Sequence, residues 1–482
     1  MLFNSLDFCK FLPIVFILYW FVTNKNLKAQ NFLLLAASYF FYACWDIRFL
    51  FLLIFSTFLD YFTGIKMSES QTIKRKKFWF WLSITVNIGF LGVFKYYNFF
   101  AESFAEALST IGLTVHPWTL NVILPVGISF YTFHGLSYVI DIYKDRIKAE
   151  KNIVDYSVFV SFFPLLVAGP IERATHLLPQ IKKERTFDVK NIIDGCRQIA
   201  WGLFKKIIIA DLCAQNADLI FNNAADHSGS TLIMGALFFT LQIYGDFSGY
   251  SDIALGTARL FGIELLKNFS FPYFSRDISE FWRRWHISLS NWFRDYLYIP
   301  LGGSKVSTLK KIRNTFIIFL VSGFWHGANW TFIIWGLLNA LYIMPSIIFN
   351  TNRKNLDVIA AGKYLPSIKE IISVLITFSL TVFAWIFFRC KTVDEALYFI
   401  KKIFSSSFFT SPKIPETTIN LLIPYFIFLL FFIEWIGREQ EYALGNLDKR
   451  WPKYIRHLLY YFILFGVLFL NGRSSQFIYF QF

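Results

Sequence analysis

Long apolar runs, separated by short polar or basic segments, follow one another along most of the chain. Each run is close to or beyond the roughly 20 residues that a helix needs to cross the hydrocarbon core of a bilayer. The pattern therefore predicts an all-α, polytopic integral membrane protein with roughly 11 to 13 transmembrane or re-entrant helices. After a first run near the N-terminus, the predicted spans cover approximately 30–45, 47–65, 78–98, 119–141, 153–169, 193–221, 230–262, 315–349, 367–390, 417–436 and 453–471.

The first run has no basic start and no small-residue cleavage site, so we expect a retained span rather than a signal peptide. No internal repeat and no low-complexity linker divides the sequence, which predicts a single integral membrane domain over residues 1–482. Basic residues cluster after the first, third and fifth predicted spans, whereas the loop at about 99–118 contains two glutamates and no Lys or Arg. Since cytoplasmic loops are enriched in Lys and Arg, we expect an extracytoplasmic N-terminus in the cytoplasmic (inner) membrane.

Composition agrees with a membrane environment and excludes most other classes of protein. Hydrophobic residues make up 55% of the chain and charged residues only 16%, too few for a soluble enzyme or a disordered chain. The net charge of +15 comes from basic residues placed between apolar runs, which favours contact with anionic lipid headgroups and argues against nucleic acid. The five cysteines and seven histidines show no zinc or H-E-x-x-H spacing, so no metal and no permanently bound cofactor is predicted.

Segment 278–299 departs from the spanning pattern because it mixes aromatic and charged residues. Its aromatic residues recur three or four positions apart, which predicts one amphipathic helix with an aromatic face. Pro300 and the two glycines that follow Leu301 are expected to end this helix. We therefore predict that residues 278–303, which include His286, form an amphipathic or re-entrant motif at the interface or beside a cavity.

Run 315–349 contains no Lys, Arg, Asp or Glu, and as one continuous helix it would be roughly 50 Å long. It must tilt, overhang or break, and the expected break is at Ser322–Asn329, where two glycines flank His326. A buried imidazole is costly inside a membrane, so His326 is a candidate functional residue. A histidine that joins two helices by one hydrogen bond is the alternative that the residues leave open.

Two further sets of polar residues lie in apolar surroundings. Asp246 and Asp252 belong to a glycine-rich segment, where buried carboxylates serve a proton pathway or pair with a basic residue such as arginine. His134 lies within a predicted span, and there we favour a packing or hydrogen-bonding role.

Several long motifs resemble the membrane-bound O-acyltransferase (MBOAT) family, and most of all its alginate O-acetylation branch. The resemblance extends over nearly the whole chain and its central motifs are specific. The motifs are LPVGISFYTF (124–133), AGPIER (168–173), GLFKK (202–206), DFSGYSD (246–252), FWRRWHISLS (281–290), WFRDY (292–296), YIPLGG (298–303), FWHGANW (324–330) and FIYFQF (477–482).

The resemblance implies the MBOAT fold, with helices around a central cavity, and acyl transfer from a thioester to a hydroxyl group. It implies that His326 is the active-site histidine and that His286 is the second histidine of the bacterial branch. The acyl group, expected to be acetyl, would come from cytoplasmic acetyl-CoA or a carrier-protein thioester and end on an extracytoplasmic polysaccharide. A periplasmic or surface acyltransferase of the SGNH type would complete the transfer. Candidate substrate-binding residues in these motifs are Trp285, Trp325, Asn329, Arg283, Arg284, Arg294 and Asp295.

The chemistry suits these residues, since a hydroxyl needs a base as it attacks and histidine can act as one near neutral pH. From charge alone, Arg283, Arg284, Lys305, Lys310 and Lys311 are candidates for binding donor phosphates or lipid headgroups.

Two alternative functions stay open. One is D-alanyl transfer to teichoic acid or acetylation of peptidoglycan, and the other is a transporter with His326 in its substrate or proton site.

Overall fold

A computed structural model describes residues 1–120, 124–167, 169–414, 418–470 and 477–478 of the chain, with only the backbone of residues 418 and 419. In this part of the chain 72% of the structure is helical and no strand is present, which confirms the all-α prediction. Two pieces of the motifs, Ala168 and residues 479–482, lie outside the described residues.

Contacts group the chain into two compact units, the first formed by 1–193 and 257–266 and the second by 194–256 and 267–482. The single domain over 1–482 stays a prediction. The first unit contains α1 Leu6–Ile17, α2 Leu27–Ala43, α3 Ile47–Ser68, α4 Ile73–Leu91, α5 Tyr97–Thr110, α6 Ile128–Tyr143, α7 Ile153–Ser161, α8 Ala174–Ile181 and the start of α9 Val189–Leu203. π-Helical turns at Leu18–Val22 and Gly92–Tyr96 follow α1 and α4.

The second unit contains the rest of α9 and the remaining helices. They are α10 Asp211–Asn222, α11 Gly229–Leu260, α12 Ile278–Arg284, α13 Ile287–Phe293, α14 Thr308–His326, α15 Trp330–Ile348, α16 Ile368–Arg389, α17 Val393–Ile403, α18 Thr418–Gly437, α19 Leu447–Arg450 and α20 Lys453–Leu470. The end of α11 belongs to the first unit. π-Helical turns at Phe204–Ala210 and Arg294–Tyr298, and short 3₁₀ turns at Ala224–Asp226, Pro272–Phe274 and Ser406–Phe409, complete the described structure.

Six helical segments in the described residues are long and apolar enough to cross a membrane. These are Ile47–Ser68, Ile73–Thr110, Trp330–Ile348, Ile368–Arg389, Asn420–Gly437 and Lys453–Leu470. Their number agrees with the predicted multi-pass arrangement, although helix length and composition select fewer spans than the apolar runs did.

Two predicted spans are shorter as helices than the sequence pattern indicated. The helix expected over 119–141 begins only at Ile128, after Gly127 adopts a left-handed conformation with φ 75°. A Cβ atom at Gly127 would lie 2.2 Å from the backbone oxygen of Leu166, so the turn requires glycine. The helix expected over 153–169 ends at Ser161, because the backbone becomes extended at Phe162 and Pro164 follows.

In the second unit, α9 and the π-helical turn after it pack closely against α11. Gly202 and Gly249 face each other, and a Cβ atom on either would lie 2.6 or 2.8 Å from the other's backbone oxygen. This close approach places two consecutive lysines, Lys205 and Lys206, against the polar residues of α11. The close packing thus brings the two lysines within ion-pair distance of carboxylates on α11.

Candidate active site

The charge-free run 315–349 breaks where the sequence predicts and then turns back on itself. Gly323 on α14 and Gly336 on α15 bring the two helices into antiparallel contact. A Cβ atom at either glycine would lie 2.3 Å from a backbone oxygen of the facing helix, that of Phe332 or Phe319. The run is therefore a helical hairpin, and His326 lies at its tip. The hairpin replaces the long tilted or overhanging helix that run length alone permitted.

The turn of this hairpin is held by two of its residues, Gly327 and Asn329. Gly327 is extended, and a Cβ atom there would lie 2.1 Å from the ring of Phe332. Asn329 caps α15 by accepting a hydrogen bond from the Thr331 backbone N–H at 3.0 Å, while its side-chain NH₂ donates to the Lys391 carbonyl at 2.7 Å. The side chain of Asn329, a predicted substrate-binding residue, is thus engaged in fixing the turn.

The imidazole of His326 lies in a box of aromatic rings and is 6% exposed. Its ring centroid is 4.8 Å from that of Trp325, 5.1 Å from that of Trp335 and 5.3 Å from that of Phe388. Since α15 has 19 residues, the tip lies about 28 Å from the open end of the hairpin. His326 is consequently at one end of the α15 span and not at the middle of a longer one.

Segment 278–299 is not the single amphipathic helix that its periodicity predicts. It forms α12 and α13, two seven-residue helices that are joined at Trp285 and His286, followed by the π-helical turn. His286 is left-handed, with φ 43° and ψ 54°, a conformation that few residues other than glycine adopt. The aromatic residues therefore do not form one face. Trp285 instead packs against Trp385, with ring centroids 5.1 Å apart.

His286 is 1% exposed, and only one of its two ring nitrogens is hydrogen-bonded within the described structure. Its Nδ1 lies 3.0 Å from Oδ1 of Asn268, which also accepts a hydrogen bond from the Ser288 hydroxyl at 2.9 Å. Because Oδ1 can only accept, Nδ1 carries the proton and donates it. Nε2 then has a free lone pair, the state that a general base needs.

Trp325 brings the two predicted catalytic histidines together. Its ring centroid lies 6.1 Å from that of His286 in an edge-on arrangement and 4.8 Å from that of His326. The resemblance to the family predicted a site role for all three residues. Their common position at the tips of two separate turns is a result of the structure.

Arg283 and Arg284 bind groups of their own chain. Arg283 donates to the Asn352 and Asn355 carbonyl oxygens at 2.8 and 2.7 Å. Arg284 donates to the Glu280 carboxylate at 2.8 Å and to the Asp357 carbonyl oxygen at 3.0 Å. Both side chains fasten the loop after α15 to α12, which leaves them less suited to bind donor phosphates than the sequence suggested.

Arg294 and Asp295 lie on the π-helical turn that follows α13. The Arg294 guanidinium pairs with Asp295 at 2.6 Å and is 55% exposed. Arg294 also lines two adjoining cavities of ≈ 460 and ≈ 550 Å³, together with Tyr298, Asn352 and Arg353. Lys311 lines the first of them, so the open end of the hairpin has a basic groove.

The second of these cavities extends toward the aromatic box. It reaches Trp282 and Phe319, whose ring centroids are 5.2 Å apart. The ring of Trp282 is 5.7 Å from that of Trp335, which itself contacts His326. The wall of the groove is thus connected to the His326 imidazole through the rings of Trp282 and Trp335.

The buried carboxylates Asp246 and Asp252 pair with lysines, which confirms the expected basic partner but not its identity as arginine. Lys206 contacts Asp246 at 2.7 Å and Asp211 at 2.8 Å, and all three side chains are at most 2% exposed. Lys205 contacts Asp252 at 2.6 Å. The GLFKK and DFSGYSD motifs are therefore the two sides of one contact.

The Lys205 pair lines a small polar cavity that the sequence did not indicate. Its other polar walls include Gln198, Lys267, Asn268 and Glu434, and its free volume of ≈ 20 Å³ has room for about one water molecule. Burial lowers the pKa of Lys267 to about 8. Periodicity gave no signal for these residues, because they come together only through contacts distant in sequence.

Comparison with known proteins identifies the family. The model of the MBOAT, membrane-bound O-acyltransferase family matches residues 144–387. The chain is 40% identical over 397 residues to a probable alginate O-acetylase AlgI of Pseudomonas aeruginosa, covering 82% of this chain and 73% of that protein. It is 38% identical over 430 residues to a peptidoglycan O-acetyltransferase of Helicobacter pylori, covering 83% and 79%. A teichoic acid D-alanyltransferase of Bacillus subtilis is 30% identical over 287 residues, covering 56% of this chain and 70% of that protein.

The chain therefore belongs to the membrane-bound O-acyltransferase family. It is a multi-pass membrane enzyme that transfers acyl groups to hydroxyl oxygens.

Proposed function

We propose that the protein moves an acetyl group from a cytoplasmic thioester toward hydroxyl groups of an extracytoplasmic polysaccharide, with His326 as acid and base. The observation that carries the proposal is the pair of buried histidines at the tips of two turns, on either side of Trp325. A buried imidazole is costly in so apolar a box, and such residues are common where protons are handled or reacting groups are bound.

The reaction needs one proton to be moved and no external acid or base. The acceptor hydroxyl attacks the thioester carbonyl, a C–O bond forms and the C–S bond breaks. His326 takes the hydroxyl proton during attack and returns it to the departing thiolate. His286, whose Nε2 lone pair is free, positions the acceptor hydroxyl or the donor beside it.

The groove at the open end of the hairpin supports a donor that carries phosphate. Lys311, Arg353 and Arg294 line it, and guanidinium and ammonium groups are suited to bind phosphate. Along α14, the tip lies about 22 Å beyond Lys311 at 1.5 Å per residue, so the thioester must be at the end of a long flexible arm. Acetyl-CoA and a carrier-protein thioester both have this property. We take acetyl-CoA as the primary donor.

The charge difference between the two ends of the hairpin supports an orientation in the membrane. Its open end is basic, which favours the cytoplasm, and the tip with His326 is then near the extracytoplasmic side. This agrees with the charge pattern of the first three basic loops and with an extracytoplasmic N-terminus. We place the protein in the inner membrane, with a donor that enters from the cytoplasm and an acceptor that enters from the opposite face.

The relatives support a glycan as the acceptor. Proteins named alginate O-acetylase and peptidoglycan O-acetyltransferase match about four fifths of the chain, whereas the D-alanyltransferase matches little more than half. We therefore favour acetyl over D-alanyl transfer. A separate SGNH-type acyltransferase at the outer face is proposed to receive the acyl group and complete its transfer to the polysaccharide.

The test uses membranes that contain the full chain, radiolabelled acetyl-CoA and the polysaccharide fraction of the same cells. His326→Ala should lower acetyl transfer at least about 100-fold, the usual contribution of a general base. His457→Gln is the matched control, since His457 is exposed and its Nδ1 donates to the Lys453 carbonyl oxygen of its own helix. Transfer by His326→Ala at the rate of the unmodified protein, at equal membrane abundance, would refute the role of His326.

Two further questions, the identity of the acyl donor and the alternative of transport, are tested with reconstituted protein. Purified protein in liposomes should consume acetyl-CoA and release free CoA when an acceptor glycan is present. Replacement of acetyl-CoA by an acetylated carrier protein tests the second donor. Uptake of glycan or acetate without thioester consumption would contradict the proposal.

A further inference from the structure

Asn268, which lies between α11 and the 3₁₀ turn Pro272–Phe274, contacts the residues around His286 with both its backbone and its side chain. We propose that Asn268 is a positioning residue for acyl transfer, which fixes the His286 imidazole with its proton on Nδ1 and its lone pair on Nε2. The inference rests on the proposed function of the two histidines. None of the sequence motifs selected this residue.

The backbone around Asn268 runs beside the turn that contains His286. The Ile287 N–H donates to the Asn268 carbonyl oxygen at 2.9 Å, and the Ser270 N–H donates to the Arg284 carbonyl oxygen at 2.9 Å. These two bonds bracket His286 on both sides. The position of its Cα atom is therefore set by a segment almost twenty residues earlier in the chain.

The side chain of Asn268 is oriented by partners on both of its ends. Its NH₂ group donates to the Ser251 hydroxyl of α11 at 3.1 Å, so the oxygen faces the other way. That oxygen accepts from the Ser288 hydroxyl at 2.9 Å and from His286 Nδ1 at 3.0 Å. Asn268 is 1% exposed, so these bonds are shielded from bulk solvent.

The same oxygen also compensates for a missing helix cap. The residue before α13 is His286, whose side chain makes no capping hydrogen bond. The Ser288 N–H of the first turn of α13 instead points to Asn268 Oδ1 at 3.4 Å. Asn268 thus stabilises the left-handed conformation at His286 and the start of α13 together.

Aromatic rings complete the restraint of the imidazole. Phe247 of α11 contacts the His286 ring edge-on at a centroid distance of 4.6 Å, and Trp325 lies 6.1 Å away on the side of His326. A 180° flip of the ring would place Cδ2 instead of Nδ1 against Asn268 and would put Cε1 where Nε2 now lies. The amide of Asn268 opposes this flip because only a donor is accommodated at its oxygen.

The experiment compares two substitutions at Asn268 in the full-length protein in membranes. Asn268→Leu removes the acceptor oxygen, and Asn268→Asp keeps it. We expect Asn268→Leu to lower kcat about tenfold or more with a smaller change in KM for acetyl-CoA, since an imidazole with its proton on Nε2 cannot accept a hydrogen bond from the acceptor hydroxyl. Asn268→Asp should restore at least about half of the activity. Asn216→Ala, which removes another buried amide far from both histidines in the sequence, is the control for folding.

A double-mutant cycle distinguishes positioning from a structural role. In a His286→Ala background, Asn268→Leu should have no further effect on kcat. An equal additional loss in that background, or the same activity for the Leu and Asp variants, would overturn the inference. Full activity of His286→Ala itself would refute the role of His286 in the proposed function. A strong loss in His286→Ala beside a fully active Asn268→Leu would refute only the role of Asn268.

Discussion

His134 in the first unit and His286 in the second are equally buried, at 1% exposure each, yet their hydrogen bonds differ. His134 Nδ1 faces the Val160 carbonyl oxygen at 3.4 Å, and its Nε2 accepts from the Glu172 N–H at 3.1 Å. Both nitrogens of His134 are engaged with backbone, whereas Nε2 of His286 has no partner in the described structure. Burial is therefore common to both histidines, and the proposed role of His286 rests on its unused nitrogen beside a second histidine.

The largest expected effect sharpens this contrast directly. His286→Gln should lower acetyl transfer about 100-fold, because an amide cannot hold the reacting hydroxyl beside His326 in the same geometry. His134→Gln should leave the activity of the folded enzyme within about twofold and cost about 1–3 kcal/mol of stability, since its backbone partners lose their hydrogen bonds. Acetyl transfer per folded molecule and the thermal transition in detergent measure the two effects. An inactive but stable His134→Gln protein would contradict the assignment of a structural role to His134 and a functional role to His286.

A second prediction applies the same contrast to the neighbouring lysines. Lys206 is enclosed with two carboxylates, whereas Lys205 and Asp252 line the small polar cavity. Lys206→Met should destabilise the protein by about 3–5 kcal/mol, because two buried carboxylates lose their cation. Lys205→Met should cost less, since the Asp252 side chain is 15% exposed and also binds Gln198 at 2.9 Å. Abundance and thermal stability in membranes rank the variants. Equal losses of stability in the two variants would show that partial exposure and the Gln198 hydrogen bond do not stabilise Asp252 once Lys205 is removed.

The smallest expected effect concerns His176, which lies on the short helix α8. Its Nδ1 is 2.8 Å from the buried Glu172 carboxylate, and this hydrogen bond raises the pKa of His176 above its usual value. The stabilisation is complete below the unfolded pKa of about 6.5 and is lost as pH rises through the higher folded value. Because the His176 side chain is 37% exposed, we expect less than about 1 kcal/mol.

The measurement for His176 is the difference in thermal stability between the unmodified protein and His176→Gln at several pH values. The difference should be larger at pH 5.5 than at pH 8.5. A difference that grows with pH would mean that Glu172 does not stabilise the protonated ring.

The sequence predicted the structure correctly where a physical limit, such as the thickness of the bilayer, allowed few conformations. A charge-free run too long for one span had to break or overhang, and the glycines around His326 located the break correctly. The left-handed turn at His286 could not be foreseen in this way. Trp282, Trp285, Leu289 and Trp292 have helical spacing, and neither glycine nor proline marks the interruption. That turn depends on Asn268, and a contact so distant in sequence leaves no periodic signal.

The antiparallel direction of α14 and α15 was equally hidden, because a broken run can continue as well as reverse. Only the facing glycines, Gly323 and Gly336, determine it, and their pairing is apparent only in three dimensions. Likewise, the carboxylates of the DFSGYSD motif were expected to find a cation, but the sequence did not say that GLFKK supplies it.

The ionic contacts at the base of the two turns have a mechanical consequence. Glu280 binds both Arg276 and Arg284, and Arg276 also reaches Asp357 in the loop after α15. The turn that contains His286 is thus tied to the loop that follows the hairpin of His326, because α12 ends at Arg284, just before that turn. Loss of the Glu280 carboxylate would release both arginines at once and loosen this tie.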